Sequence, residues 1–141
     1  MGGVLAIDVG TKRTGFAVAD PQRIVTQALG VCPFGEDSRE LLDHIAGLLE
    51  ERDVGTLLVG LPLDMDGREG ARAQATRRFV GRLAERFPGL DVVPYDERLT
   101  TKAAEELLRE VGHSGRAGRK LRDSYSALVL LRDWVVSGEP G

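Results

Sequence analysis

Cysteine, histidine and lysine are scarce in this 141-residue sequence, and each scarcity bears on which disulfides, metal sites or phosphate contacts the chain can form. Cys32 is the only cysteine, which excludes an internal disulfide and fits a reducing, cytoplasmic compartment. We interpret it as a small buried hydrophobe. The two histidines, His44 and His113, argue against a zinc site of histidine and cysteine ligands. His44 is expected on a helix surface and His113 in a solvated loop.

Long hydrophobic runs are also missing. No stretch approaches the roughly 20 apolar residues of a membrane-spanning helix, and the N-terminus lacks the basic and apolar segments of a signal peptide. The composition, with 42% hydrophobic and 29% charged residues, is that of an ordinary globular protein. The length predicts a single domain over residues 1–138, followed by a frayed tail at 139–141.

Charge of one sign does not dominate, since the formal net charge is −3. This excludes a chain that is basic throughout, but it leaves local phosphate binding open. Only three of the 19 basic residues are lysines, and the others are arginines, which suit forked contacts with phosphate. Two segments, 68–86 and 109–122, are locally basic. Solvated helix faces are the alternative interpretation of both.

Hydrophobic periodicity and turn signals predict five strands and four helices in the order βββ–α–β–α–β–α–α. The strands cover residues 4–8, 15–19, 24–31, 56–61 and 91–95, and the helices begin after Ser38, at Ala71, at Thr100 or Thr101, and near Lys120. The third helix is expected to end at Val111 and the last at Val136, with a mobile glycine-rich loop over 112–119 between them. Pro94 places the fifth strand at a sheet edge. The order predicts a mixed sheet flanked by helices.

Three acids stand at informative places. Asp8 ends the apolar strand of "LAIDVGTKRTGFAVAD", Glu97 follows the last strand, and Asp123 begins an apolar helical stripe. Acids beyond the carboxyl ends of strands line the ligand crevice of an α/β sheet, and an acid on an apolar stripe is costly unless it is paired or binds metal. Together they would form an oxygen-rich pocket suited to Mg²⁺ or Mn²⁺, which supports phosphodiester hydrolysis.

Each acid also has a structural alternative. Asp8 can accept hydrogen bonds in its glycine turn, Glu97 can pair with Arg98, and Asp123 can be favoured by the helix dipole. The turn from Gly10 to Gly15 is not a phosphate loop of the G-x-x-x-x-G-K-[ST] type, because phenylalanine and alanine follow it. "DVGT" also resembles the phosphate loop of sugar kinases and actin-like ATPases, which clasp nucleotide between two domains. A non-catalytic nucleic-acid binder is disfavoured because it has no use for a negative pocket.

Four segments in order, "IDVGTKRTGFAVAD", "VGLPLDMDGREG", "DERLTT" and "RKLRDSYSA", resemble the YqgF/RuvX family of the RNase H-like superfamily. Members of that family are described as pre-16S rRNA nucleases and as Holliday junction resolvases. The resemblance covers nearly the whole chain. It implies an RNase H-like α/β fold with a five-stranded mixed sheet in the order 3-2-1-4-5 and helices on both faces.

The resemblance also implies a divalent-metal-dependent nuclease site. Asp8, Glu97 and Asp123 match the family's catalytic, metal-binding acids, with Mg²⁺ or Mn²⁺ as the cofactor. The expected nucleic-acid contacts are Arg13, Arg98 and Lys120, which match motif positions, and the adjoining Arg119. Asp64 stands where the family usually has asparagine, so it either weakens phosphate binding locally or reshapes its loop.

The implied function is processing of the 5′ end of pre-16S rRNA. The alternative is a structure-selective DNA endonuclease that resolves four-way junctions. A stable dimer favours junction resolution, because that reaction needs two paired sites, whereas a monomer favours RNA or single-strand cleavage. No membrane partner is expected.

Overall fold

The structure is a computed structural model that describes residues 2–64, 66–97 and 115–140, of which 115–124 are described by their backbone alone. The elements within these ranges are β1 (Gly3–Val9), β2 (Thr14–Ala19), β3 (Thr26–Cys32), α1 (Arg39–Glu50), β4 (Val54–Leu61), α2 (Ala71–Arg86), β5 (Asp91–Asp96) and α3 (Gly115–Val136). The predicted helix from Thr100 or Thr101 to Val111 lies outside the described residues.

The five strands form one sheet in the order β3-β2-β1-β4-β5, which confirms the predicted topology. β1 is antiparallel to β2 and parallel to β4, and β4 is parallel to β5. Pro94 lies on the edge strand β5, as predicted, where its missing N–H costs least. The parallel pairing brings the carboxyl ends of β1, β4 and β5 to the same edge of the sheet.

The central strand β1 is buried on both faces, which explains its unbroken apolar run. Residues 4–7 are fully buried. Leu5 and Ile7 belong to the core cluster that includes Leu41 of α1 and Phe79 of α2. Val4 and Ala6 belong to a second cluster with α3, whose members there are Ala127, Leu128, Leu130, Leu131 and Trp134. Helices therefore cover both faces of the sheet, as the sequence predicts.

Two predicted boundaries are wrong. α3 begins at Gly115 rather than near Lys120, so residues 115–119 are helical and not part of a loop. Glycine disfavours a helix by only about 1 kcal/mol per residue, which a long helix packed against a sheet can overcome. The third strand begins at Thr26, and Ile24 precedes it with 79% of its surface exposed.

Two residues near the end of the chain, Glu139 and Pro140, contact the rest of the structure. Glu139 forms an ion pair with Arg23 at 3.0 Å, and the carbonyl of Pro140 accepts a hydrogen bond from the indole N–H of Trp134 at 2.8 Å. Cys32 is buried, as predicted. His44 is half-buried rather than fully on the surface, with its ring 5.3 Å from the ring of Phe16. None of the described helices is long and apolar enough to span a membrane.

Candidate active site

Asp8 occupies the carboxyl end of the central strand. By the two-residue period of a strand it continues the face of Val4 and Ala6, which is the face that α3 covers. A tight turn follows, in which a Cβ on Gly10 would lie 2.6 Å from the carbonyl oxygen of Arg13. Glycine is therefore needed for the chain to fold back into β2. An open cleft of about 290 Å³ lies over this turn and is lined by residues 8–13 and 15.

Glu97 follows β5 at the same edge of the sheet. Its backbone N–H donates to the carbonyl of Leu61 at 3.2 Å, which extends the pairing of β5 with β4 by one residue. Its carboxylate lies over Gly60 of β4, where a Cβ would overlap Oε2 of Glu97 and come within 3.3 Å of Leu130 Cδ2 of α3. The space occupied by the carboxylate therefore exists because position 60 has no side chain.

Asp8 and Glu97 meet across the strand that separates them. β1 and β5 each pair with β4, so they lie roughly 10 Å apart. The side chain of Glu97 spans this gap over Gly60, and its carboxyl group forms a hydrogen bond with that of Asp8. Two acids that are 89 residues apart in the chain are thus in direct contact at the edge of the sheet.

Burial, the negative charge of Asp8 and the hydrogen bond between the two carboxyls, in that order of size, together raise the pKa of Glu97 to about 8. The positive charge of Arg72, from the first turn of α2, acts in the opposite direction and lowers it. In the metal-free chain at neutral pH, the Glu97 carboxyl therefore holds a proton that is shared with Asp8.

The structure describes the other predicted site residues only in part. Asp123 lies in α3, four residues before the buried Ala127, and Arg119 and Lys120 lie in the same helix; their side chains are outside the described set. Arg98 lies outside the described residues altogether. Arg13 lies in the exposed turn that lines the cleft. Among side chains of residues 2–64, 66–97 and 125–140, no group of three or more histidines, cysteines or acids is arranged to hold a metal ion.

The acid pair fits a hard divalent cation. Two carboxyl groups in contact, one of them largely buried, repel each other when both are ionised, so the pair needs either a shared proton or a cation. Oxygen ligands of this kind are those that Mg²⁺ and Mn²⁺ prefer. The glycine at position 60 preserves the space over β4 in which the second carboxylate lies.

Asp64, the unusual acid of the middle segment, lies beside the start of α2. Its carboxylate oxygens are 3.2 Å from the position of a Cβ on Gly70, the residue that precedes the helix. Its backbone N–H donates to the carbonyl of Arg68 at 2.8 Å, and its carbonyl accepts from the N–H of Gly67 at 2.8 Å. Asp64 therefore closes a compact turn and places its negative charge near a helix N-terminus, where it is favourable.

Three residues of this region were missed by the sequence analysis as contributors to the site. Gly60 stands inside the "VGLP" segment but carries no functional group that would single it out. Arg72 appeared only as one of several arginines in a basic segment. Glu36, which pairs with Arg72 at 2.6 Å, had no signal at all, because the pair joins positions 36 residues apart.

A five-stranded 3-2-1-4-5 sheet with helices on both faces and acids at the carboxyl edge defines an RNase H-like fold. Two resolvases have this fold: RuvC of Thermus thermophilus in complex with a Holliday junction substrate (TM-score 0.62, 16% identity, 97% of both chains covered) and the Fowlpox virus resolvase with Holliday junction DNA (TM-score 0.62, 10% identity, 96% of this chain and 97% of that chain).

Sequence similarity then identifies the family, within the RNase H-like fold class, to which the chain belongs. Residues 2–137 match the RuvX family, described as "Holliday junction resolvase", and the chain belongs to that family. Similar proteins named "Putative pre-16S rRNA nuclease" occur in Anaeromyxobacter sp. (43% identity over 131 residues, 93% of this chain and 94% of the relative) and in Acetivibrio thermocellus (37% identity over 134 residues, 95% of both).

Proposed function

We propose that this chain is a divalent-metal-dependent nuclease that hydrolyses phosphodiester bonds and processes the 5′ end of pre-16S rRNA. The observation that carries the proposal is the contact between Asp8 and Glu97 over Gly60, at the carboxyl edge of an RNase H-like sheet. The names of its relatives in Anaeromyxobacter and Acetivibrio support the choice of ribosomal RNA as the substrate.

In this proposal Asp8 and Glu97, with Asp123 of α3, would hold Mg²⁺ or Mn²⁺ at the end of β1. When bound, such ions would supply activation of water for attack on phosphorus and stabilisation of the leaving oxygen. Asp8 is held rigidly because it ends a strand that is paired on both sides. Glu97 is held by the bond of its backbone N–H to Leu61 and by the space over Gly60.

Substrate contacts are assigned to the basic residues around this edge. To Arg13, in the turn that lines the cleft, we assign a contact with a phosphate next to the scissile bond. Arg98, Arg119 and Lys120 are proposed to add further contacts to the phosphate backbone, which position a nucleic acid without reading its sequence. Residue Asp64 opposes these contacts through its charge, so we expect Asp64→Asn to strengthen substrate binding slightly.

The test is cleavage of two matched substrates, a pre-16S rRNA fragment that carries the 5′ junction and a four-way DNA junction, in Mg²⁺, in Mn²⁺ and in EDTA. We expect the native chain to cut the RNA in either metal and to leave it intact in EDTA. Asp8→Asn should reduce cleavage to background while retaining the fold and RNA binding. Asp43→Asn, a control at an exposed acid of α1, should cut like the native chain.

Two outcomes would reject the proposal: a native chain that cuts neither substrate in either metal, and an Asp8→Asn variant that cuts as fast as the native chain. Preferential cutting of the four-way junction would instead support the second candidate, a junction resolvase. The family description and the fold shared with two resolvases favour that candidate as the alternative. Because it needs two paired sites, sedimentation of the active species as a dimer should accompany junction cleavage.

A further inference from the structure

Glu36 is a buried acid in the loop between β3 and α1. Its side chain is only 7% exposed, and its Oε1 accepts a hydrogen bond from Nη1 of Arg72 at 2.6 Å. Its Oε2 is buried without a hydrogen-bond partner among the described residues. Burying a carboxylate is costly, and here only one of its two oxygens is paired within the described part of the chain. Such a pair differs from an ordinary surface ion pair, so we ask what it does.

The backbone of Glu36 is fixed as tightly as its side chain. Its N–H donates to the carbonyl of Gly10 at 2.9 Å, in the turn that follows Asp8. Its carbonyl accepts a hydrogen bond from the guanidinium of Arg82, which lies about 15 Å along α2 from Arg72. Glu36 is therefore anchored both to the turn that lines the cleft and to the helix that carries Arg72.

Arg72 reaches the same edge of the sheet from the first turn of α2. Its side chain is 43% exposed, and the hydrogen bond to Glu36 uses one of the five N–H donors of a guanidinium. Its charge lowers the pKa of Glu97, so it lies within electrostatic range of the acid pair. The other α2 arginines with an ion pair in the described residues pair with different acids: Arg77 with Glu69, Arg82 with Asp37, and Arg86 with Asp43.

We infer that Arg72 is a phosphate-binding residue of the nuclease site and that buried Glu36 holds its guanidinium in place for that contact. The inference rests on the proposed function and adds a contact from α2 to those assigned above. A long, flexible side chain loses rotamer entropy when it binds a phosphate, and an ion pair formed beforehand removes part of that cost. The exposed donors of Arg72 then remain for the RNA backbone.

The test is fluorescence anisotropy with a labelled single-stranded RNA that carries the pre-16S 5′ junction, in the Asp8→Asn background so that the RNA stays intact. Arg72→Ala should raise Kd about tenfold at low salt and reduce the slope of log K against log salt by about 0.7. Arg86→Ala is the matched control, since it also removes one paired arginine of α2, about 21 Å along the helix. It should leave the slope unchanged.

Glu36→Gln separates the role of Glu36 from that of Arg72. The amide keeps an acceptor oxygen for Arg72 but removes the charge, so Kd should rise by less than in Arg72→Ala, with the salt slope unaltered because Arg72 keeps its charge. A Kd equal to that of the Asp8→Asn parent would reject the role of Glu36.

A purely structural ion pair gives a different result. Arg72→Ala would then lower the thermal midpoint while its salt slope matched that of Arg86→Ala, and this would overturn the inference. Cleavage by the native chain is measured in parallel in Mg²⁺. Absence of cleavage rejects the proposed function, whereas normal cleavage together with an unaltered slope for Arg72→Ala rejects only the phosphate-binding role.

Discussion

At the scale of single residues, Gly60 contributes to the site by having no side chain. Asp8 of β1 and Glu97, which follows β5, are separated by β4, and any side chain at position 60 of β4 would stand between them. The carboxylate of Glu97 fills the space that a Cβ would take. The contact of Asp8 with Glu97 therefore depends on a third position that supplies no chemistry of its own.

Gly60→Ala should lower the rate of cleavage strongly and the free energy of unfolding only moderately. The methyl group would displace the carboxylate of Glu97 and press on Leu130. A shift of about 1 Å in a catalytic group can cost about 100-fold in rate, whereas overpacking here should cost about 1–3 kcal/mol of unfolding free energy. Rates and urea unfolding are compared with Gly81→Ala, a helical position with nothing within 4 Å of the new methyl group. Equal cleavage rates for the two variants would contradict this role of Gly60.

Glu97 should make the metal-free chain less stable as the pH rises. Its pKa is about 8 in the folded chain against 4.5 for an ordinary glutamate, so between these values the unfolded chain loses a proton that the folded chain retains. Ionisation thus favours the unfolded state, and the unfolding free energy should fall from about pH 4.5 to pH 8. Below pH 4.5 the group is protonated in both states and has no effect.

The measurement is urea unfolding in EDTA at several pH values, for the native chain and for Glu97→Gln, which cannot ionise. The difference between the two isolates the contribution of Glu97 from that of the other acids. We expect Glu97→Gln to gain stability relative to the native chain as the pH rises through this window. Parallel pH profiles for the two proteins would show that Glu97 has an ordinary pKa.

The residues of the site differ in how far the sequence predicts them. Asp8 and Glu97 could be singled out from the sequence because Asp8 ends an apolar run and Glu97 directly follows a strand, and strand ends are local features. Their contact could be expected only from the strand order. The pair of Glu36 and Arg72 could not be predicted, because its partners lie in a loop and a helix that meet only after the sheet has folded.

At the scale of elements, the turn between β1 and β2 and the loop between β3 and α1 hold each other in place. The hydroxyl of Thr14 donates to the carbonyl of Phe34 at 2.8 Å. The N–H of Glu36 donates to the carbonyl of Gly10, and Gly35 packs directly on the carbonyl of Thr11. The cleft beside Asp8 is therefore shaped by two segments and not by the glycine turn alone.

Gly35→Ala should damage this contact. A Cβ at position 35 would overlap the backbone carbonyl of Thr11, so the two segments must move apart, at a cost of about 1–3 kcal/mol of unfolding free energy. Gly47 lies within α1, and no atom of the described residues lies within 4 Å of a Cβ there. Gly47→Ala should therefore stabilise the chain by about 0.5–1 kcal/mol, because alanine favours a helix more than glycine does. Urea unfolding measures both; a Gly35→Ala variant as stable as the native chain would contradict the packing described.

The start of α3 illustrates why element boundaries are harder to predict than element types. Its apolar stripe from Ala127 to Trp134 predicts a helix, and those residues pack on the sheet. The glycines at 115 and 118 favour a loop by local propensity, yet the helix includes them. A helix that is already fixed by packing extends at little cost, and that energy is not visible in the local sequence.

At the scale of the whole molecule, the strand order brings the residues of the site together. The hairpin of β1 and β2 places β1 at the centre, and the parallel crossovers through α1 and α2 add β4 and β5 on its other side. Acids from positions 8 and 97 then meet at one edge. The alternation of strands and helices predicted a mixed sheet flanked by helices. The order of the strands within that sheet was implied by the family resemblance and not by the sequence pattern itself.

Mn²⁺ binding measured by titration calorimetry tests, without relying on any substrate, whether Asp8 and Glu97 form a site for a divalent cation. We expect the native chain and the Asp43→Asn control to bind Mn²⁺ with the same affinity, and Asp8→Asn and Glu97→Gln each to bind at least about tenfold more weakly. Affinities for Mn²⁺ that are the same in all four proteins would contradict the account.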